Sequence, residues 1–316
     1  LQIAALDRST WQCCNHRMSF ITQSFDHLLQ LTGNLAGGLS WREDRPVRGI
    51  IRIKISSRLS RFNGMIVSIY LIGDVLIDSG FTQARTMILG RLRDKKIRAV
   101  CLTHHHEDHS GTCGEIARER DCPVYLRNPD ARFSEGLSNL KPYRLLWWGA
   151  PLPYRPEEMP ELVGTGEQAL SPIPIPGHST THTAFFNQAT GVVFSGDLFI
   201  SPGVTAVMSH ENPYDSIRSL RRVAGLKPAR LLSGHGLDIE RPAELLELKA
   251  DRIERAADKV VRLHAQGLLV KEIQRRVFTS GRSRDRYTDI LSGGEFSRLN
   301  FVVACIKNHQ DPAEGK

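Results

Sequence analysis

At 316 residues the chain is long enough for one large domain and a smaller appendage. Its 41% hydrophobic and 24% charged residues exclude a disordered chain, and no apolar run approaches the roughly 20 residues of a membrane helix. The net charge of +8 is uneven: residues 49–98 hold ten Lys/Arg against three acids, whereas 99–240 hold twelve against sixteen.

Residues 1–47 read as an N-terminal extension. Ile21, Phe25, Leu28 and Leu29 have helical spacing, and Gly33, Gly37 and Gly38 end the pattern. Leu1 stands first, and Met18 is a candidate natural start, which leaves the origin of residues 1–17 open. From about Arg48 the texture is that of strands. "GIIRIKIS" is followed by "MIVSIYLI" and "VLIDSG", a hairpin closed by Gly73-Asp74. Residues 82–95 read as an amphipathic helix, "IRAVCLT" as a short buried strand, 111–120 as a helix and "CPVYLR" as a strand. Residues 128–170, rich in proline and aromatics, are too long for a simple connection and are expected to cover something. "TAFF", "GVVFSGD" and "ARLLSGHG" give three more strands. From Arg241 the pattern turns helical, with Leu245, Leu248, Ile253, Ala256 and Val260 on one face. A final helix is expected to carry Phe296, Leu299, Val302, Val303 and Ile306. The alternation of strand and helix implies an α/β sandwich. The expected division is an extension (1–47), a catalytic domain (48–240) and a C-terminal helical domain (241–316).

"CLTHHHEDHSG" (101–111) concentrates metal-binding side chains. His104 and His106, two apart, project to one side of an extended loop, and Asp108 and His109 can point to a second position beside it. His178 in "PGHS", Asp197 in "SGD" and His235 in "SGHG" each follow an apolar strand and adjoin a glycine, which lets the backbone turn tightly beneath a ligand. Seven ligands suit two cations: His104, His106 and His178 for one, Asp108, His109 and His235 for the other, and Asp197 between them. Imidazole and carboxylate suit zinc, with iron and manganese as alternatives. Two adjacent cations would lower the pKa of a shared water and clamp the attacked group.

H-x-H-x-D-H followed by "GHS", "SGD" and "SGHG" resembles the metallo-β-lactamase superfamily over about residues 48–240. The resemblance implies an αββα sandwich, with the metals at one edge between two sheets and the C-terminal helical unit appended. "LIDSG" resembles the family's strand-end Asp motif, which implies that Asp78 orients ligands from behind. His105 occupies the variable position of the motif and is expected to face away. His182, four after His178, matches a histidine that serves the family as a hydrogen-bonding neighbour. Asp197, where the best-known lactamases place Cys, is more like glyoxalase II, the lactonases and the ribonuclease branch.

The expected function is therefore a dinuclear hydrolase of a small ester, lactone, thioester, lactam or phosphoester, acting through a metal-bridging hydroxide. Asp108 and Asp197 would be catalytic, and Trp147, Trp148 and Tyr154 would form an apolar substrate rim. The basic 49–98 segment keeps a second reading open, an endoribonuclease acting on single-stranded RNA. A third, a non-catalytic metal or nucleic-acid binding protein, fits the complete ligand set poorly. The tail leaves room for a homodimer contact. Six cysteines (Cys13, Cys14, Cys101, Cys113, Cys122, Cys305) with no C-x-x-C pair, and no secretory signal, point to the cytoplasm.

Overall fold

The structure, a computed structural model, describes residues 38–62, 64–130, 140–204, 206–279 and 289–309. The helix expected around residues 21–29, and Cys13 and Cys14, lie outside them. The first sheet takes seven strands in chain order: β1 (Ser40–Val47), β2 (Ile50–Ser56), β3 (Val67–Ile72), β4 (Val75–Ile77), β5 (Ala99–Cys101), β6 (Val124–Leu126) and β7 (Pro156–Glu158). Strands β1 to β4 pair antiparallel and β4 to β7 parallel. Gly73 at φ 60° supplies the left-handed turn that pairs Ile72 with Val75. The second sheet has five strands in the order β12-β11-β10-β9-β8: β8 (Ser171–Pro174), β9 (Thr183–Asn187), β10 (Val192–Phe194), β11 (Arg230–Leu232) and β12 (Asp238–Glu240). Here β10 and β11 are parallel and the other pairs antiparallel.

The helices are α1 (Arg58–Phe62), α2 (Arg85–Leu92), α3 (Glu107–Ser110), α4 (Cys113–Arg120), α5 (Pro142–Trp148), α6 (Pro213–Gly225), α7 (Ala243–Ala265), α8 (Val270–Val277) and α9 (Arg298–Asn308). Strand β3 shows how they are layered. Val67, Ile69 and Leu71 face outward, into a cluster completed by Ile88 of α2, Ile116 of α4 and Trp148 of α5. Tyr70 and Ile72 face inward to meet Phe185, Phe194 and Leu232 of the second sheet. Both faces being covered, every residue of β3 is buried, which is why the segment reads as a nearly continuous apolar run. Ala184, Val193 and Leu231 turn the other way, under α6, α7, α8 and α9. The result is the αββα sandwich, with the C-terminal helices on the second sheet.

Three expectations change. Strand β1 lies inside the segment read as an extension. It is a mostly exposed edge strand, "SWREDRPV", so it carries no apolar alternation to betray it. On α7 the buried stripe is Leu246, Ala250, Ile253, Ala257 and Val260, while Leu245 and Leu248 are each 38% exposed. Phe296 precedes α9, whose buried residues include Phe301 and Val302, and Val303 faces outward. The buried cluster of the second sheet crosses residue 240 without a break. Among the described residues, no helix is long and apolar enough to cross a membrane.

Candidate metal centre

The loops that follow β5, β8, β10 and β11 deliver their polar side chains to one edge of the sandwich. Two glycines make the approach possible. A side chain at Gly234 would put its Cβ 2.5 Å from His109 Cε1, and one at Gly196, which stands at φ 49°, would put it 2.7 Å from His182 Nε2. Three sets of ligand atoms come within 4.8 Å of one another: His104/His106/His178, Asp108/His109/His235 and His104/His109/Asp197. Asp197 Oδ2 lies 3.1 Å from His235 Nε2 and 3.6 Å from His178 Nε2, so this carboxylate reaches both halves.

Hydrogen bonds behind the rings decide which nitrogen faces the centre. Asp78 accepts from Thr103 N–H (2.7 Å) and from the Thr103 hydroxyl, and it accepts at 2.8 Å from His109 Nδ1. The Thr103 oxygen then accepts from His104 Nδ1 at 3.1 Å. His235 Nδ1 donates to the Ile66 carbonyl (2.9 Å), and His178 Nδ1 faces Glu211 Oε2 at 3.4 Å. In each case the rear partner takes Nδ1 and leaves Nε2 facing inward. Burial works downward, but the neighbouring carboxylates hold His109, His178 and His235 above the ordinary imidazole value, so a cation bound at Nε2 would displace a proton there.

That arrangement fits cations. His104 Nε2 and His178 Nε2 lie 2.9 and 3.1 Å from His106 Nδ1. One proton on His106 Nδ1 can serve only one of those lone pairs, whereas a cation serves all three. His109 Nε2 and Asp197 Oδ1 are buried and face each other at 3.3 Å, with no other hydrogen-bond partner among the described residues. Burial pushes His104 and His106 well below the ordinary imidazole value, which keeps them neutral. For Asp197, burial works upward, but the His235 and His109 rings hold it well below the usual carboxylate range.

The remaining expected residues divide. His182 is buried, its titration pushed down to about 3 by burial, and its Nε2 accepts from Asp197 N–H at 3.2 Å. His105 turns to Thr181, whose hydroxyl lies 3.0 Å from its Nδ1. Trp147 and Trp148 line a cleft of about 240 Å³ together with Tyr143, Arg144, Phe296 and the cluster itself. Trp148 also packs on Phe81, with centroids 5.1 Å apart. Tyr154 is not at this rim. It packs beside Gly114 in the outer cluster of the first sheet, because the chain leaves α5 toward β7 and carries Tyr154 past α4.

Thr103, Ile66, Glu211 and Arg144 were not singled out from the sequence. Thr103 had a signal, standing directly before the motif. Glu211 and Arg144 had none, since their partners are distant in the chain.

The pattern of the metallo-β-lactamase superfamily matches residues 63–235, more than half of the chain, and the chain belongs to that superfamily. The hydroxyacylglutathione hydrolase of Bdellovibrio bacteriovorus is 28% identical over 151 residues, 46% of this chain; the match spans 52% of that relative, about half its length. The atrochrysone carboxyl ACP thioesterase of Aspergillus fumigatus is 27% identical over 241 residues, 73% of this chain and 67% of the relative. A β-lactamase domain protein from Burkholderia ambifaria shares the fold, with TM-score 0.63 at 17% identity, covering 84% of this chain and 88% of that one. Relatives of the chain are named as a hydrolase, a thioesterase and a probable metallo-hydrolase.

Proposed function

We propose that the chain is a two-cation hydrolase of small acyl esters, and that thioesters fit its site best. The observation that carries this is the convergence of seven side chains in two groups that share Asp197. His104, His106 and His178 would hold one cation, Asp108, His109 and His235 the second, with Asp197 common to both. Zinc suits this donor set, as do manganese and iron. When bound, such a pair acidifies a water and polarises the attacked carbonyl.

The chain's own share is positional. Asp78, Thr103, Ile66 and Glu211 fix the imidazoles by their rear nitrogens, and His182 holds the Asp197 backbone. Asp108 Oδ2, 3.6 Å from His235 Nε2 and 3.7 Å from His109 Nε2, lines the open cleft, where it orients the attacking water and carries its proton. The cleft wall supports an acyl substrate over a nucleic acid. Among the described residues its one arginine, Arg144, is already engaged by Glu107 and Glu295, so none of the described side chains of that wall offers a free cation to a phosphate backbone. Two relatives named as a hydroxyacylglutathione hydrolase and a thioesterase support the same choice.

Protein purified without chelator should carry close to two metal ions per chain by elemental analysis. Thioester hydrolysis should stop on chelation and return in part with zinc, manganese or cobalt. In a screen of a thioester, a lactone, a β-lactam, a phosphodiester and single-stranded RNA, turnover of only the last two would overturn the acyl assignment.

A further inference from the structure

A second cavity, of about 120 Å³, shares His178, Asp197, Ile200 and Phe296 with the tryptophan-lined cleft, so the two meet at the candidate metal centre. Its wall comes from the loops after β8 and β10 and from α6, α7 and α9, and it is largely apolar: Ile175, Leu198, Val204, Val207, Ile253 and Phe301. Lys249 of α7 lines this apolar wall. Among the described residues its Nζ makes one hydrogen bond, a long one to the Leu198 carbonyl (3.4 Å), and it stands 5.1 Å from the centre of the Phe199 ring. An ammonium has three donors, and this half-buried one keeps donors free for a group that enters the cavity. The acids of the wall are otherwise occupied. Glu211 faces His178 Nδ1 and accepts from Met208 N–H at 2.9 Å, and Asp197 faces the histidines. Burial pushes the Lys249 amine down to about 8, against the opposing pull of Glu211 and Asp197. A leucine or methionine would fill the same space without that cost. A cation in an apolar pocket next to a reaction centre points to a ligand group that it meets.

We propose that this cavity is the acyl subsite, and that Lys249 selects acyl groups carrying a second carboxylate a few atoms from the scissile carbonyl. The proposal rests on the acyl-ester reading above. At about half the volume of the aromatic cleft, this cavity suits the smaller part of the substrate. The leaving group would lie in the wider aromatic cleft. In the reaction, water oxygen bonds to the carbonyl carbon, the carbon–sulfur bond breaks, and the departing thiolate takes up a proton. The products are a dicarboxylic acid and a free thiol.

Glutarate and pentanoate separate the terms, because both offer one carboxylate to the metal centre and only glutarate offers another. Calorimetric titration of the metal-loaded protein should give glutarate at least about tenfold tighter binding than pentanoate, the worth of one charge-assisted hydrogen bond. Lys249→Met should erase that preference, with metal content and melting temperature recorded alongside; Lys249→Gln, which keeps a donor without the charge, gives the same test if the first variant fails to fold. Equal affinities in the unmodified protein, or a preference that survives both substitutions, would overturn the proposal. With glutaryl and pentanoyl thioesters, the ratio of kcat/KM values should fall about tenfold in the variant, through KM. If neither thioester is turned over while the glutarate preference still depends on Lys249, the acyl-ester reading falls and the carboxylate subsite stands.

Discussion

At the scale of single residues, Asp78 is buried and yet supports more of the cluster than any other side chain behind it. One buried carboxylate fixes His109 directly and His104 through Thr103, so both halves of the cluster depend on it. It sits at φ 58°, a left-handed conformation that asparagine also tolerates. Asp78→Asn should therefore keep the backbone and lower metal affinity about 10–100-fold, measured by competition with a chelating dye; unchanged affinity would remove Asp78 from the orienting role. His105 behaves differently. A motif position facing away from the metals sounds dispensable, yet His105 is 1% exposed and bonded to Thr181. His105→Ala should keep both metals and cost about 1–3 kcal/mol in a denaturant melt. Lys249 gives a pH dependence. A lysine is charged below its pKa, and burial lowers that of Lys249, so the glutarate preference should be full in mildly acidic solution and fade as pH rises through the lowered pKa of the amine, below that of an exposed lysine. Glu211, Asp197, His178 and His182 share the wall; pentanoate, measured in parallel, cancels their titration and that of the metal centre.

At the scale of elements, the proline- and aromatic-rich stretch is legible as a cover, but its fastening is not. Helix α5 is held by Arg144, which reaches Glu107 in the metal loop with two bonds (2.6 and 2.7 Å) and Glu295 before α9 with a third (3.1 Å). Those residues are 37 and 151 positions away in the chain, so no local pattern announces the triad. Removing one partner of a buried pair strands the other charge. Arg144→Met should cost about 3–5 kcal/mol, and adding Glu107→Gln should recover part of it, both read from denaturant midpoints. Equal losses in single and double variants would mean that packing, not charge, holds the helix. Strands β7, "PEE", and β12, "DIE", escape sequence reading for a plainer reason: three residues at a sheet edge, two of them acidic, carry no apolar period. Helix α6 had a signal. Asn212 before Pro213 is a start, and its side chain accepts from Tyr214 N–H and Asp215 N–H.

At the scale of the molecule, the candidate ligands are legible because each stands in a compact motif at the end of an apolar strand. What joins the C-terminal helices to the rest is legible only as amphipathicity. Spacing puts Leu245, Leu248, Ile253, Ala256 and Val260 on one face of α7, whereas the buried set is Leu246, Ala250, Ile253, Ala257 and Val260. Apolar residues adjoin one another along the helix, and amphipathicity alone does not fix which line of them is inside. The fold does, because α6 and the outer face of the second sheet meet the buried set. The tail also reaches the site: Glu295 binds Arg144, and Phe296 lines both cavities. Residues 241–316 are thus expected to be inseparable from a folded, active chain. Ending the chain at residue 240 would expose Leu220, Val223 and Leu231, which share the cluster with α7, and should yield aggregated protein, not a hydrolase of altered specificity. A milder pair of substitutions settles the point in a soluble protein. Leu246 is 0% exposed and Leu245 38%, one residue apart on the same helix. Leu246→Ala should cost about 2–5 kcal/mol in a denaturant melt, and Leu245→Ala no more than about 0.5 kcal/mol. Equal costs, or the reverse order, would mean that α7 presents another face and that the second cavity, with Lys249 in its wall, is built differently.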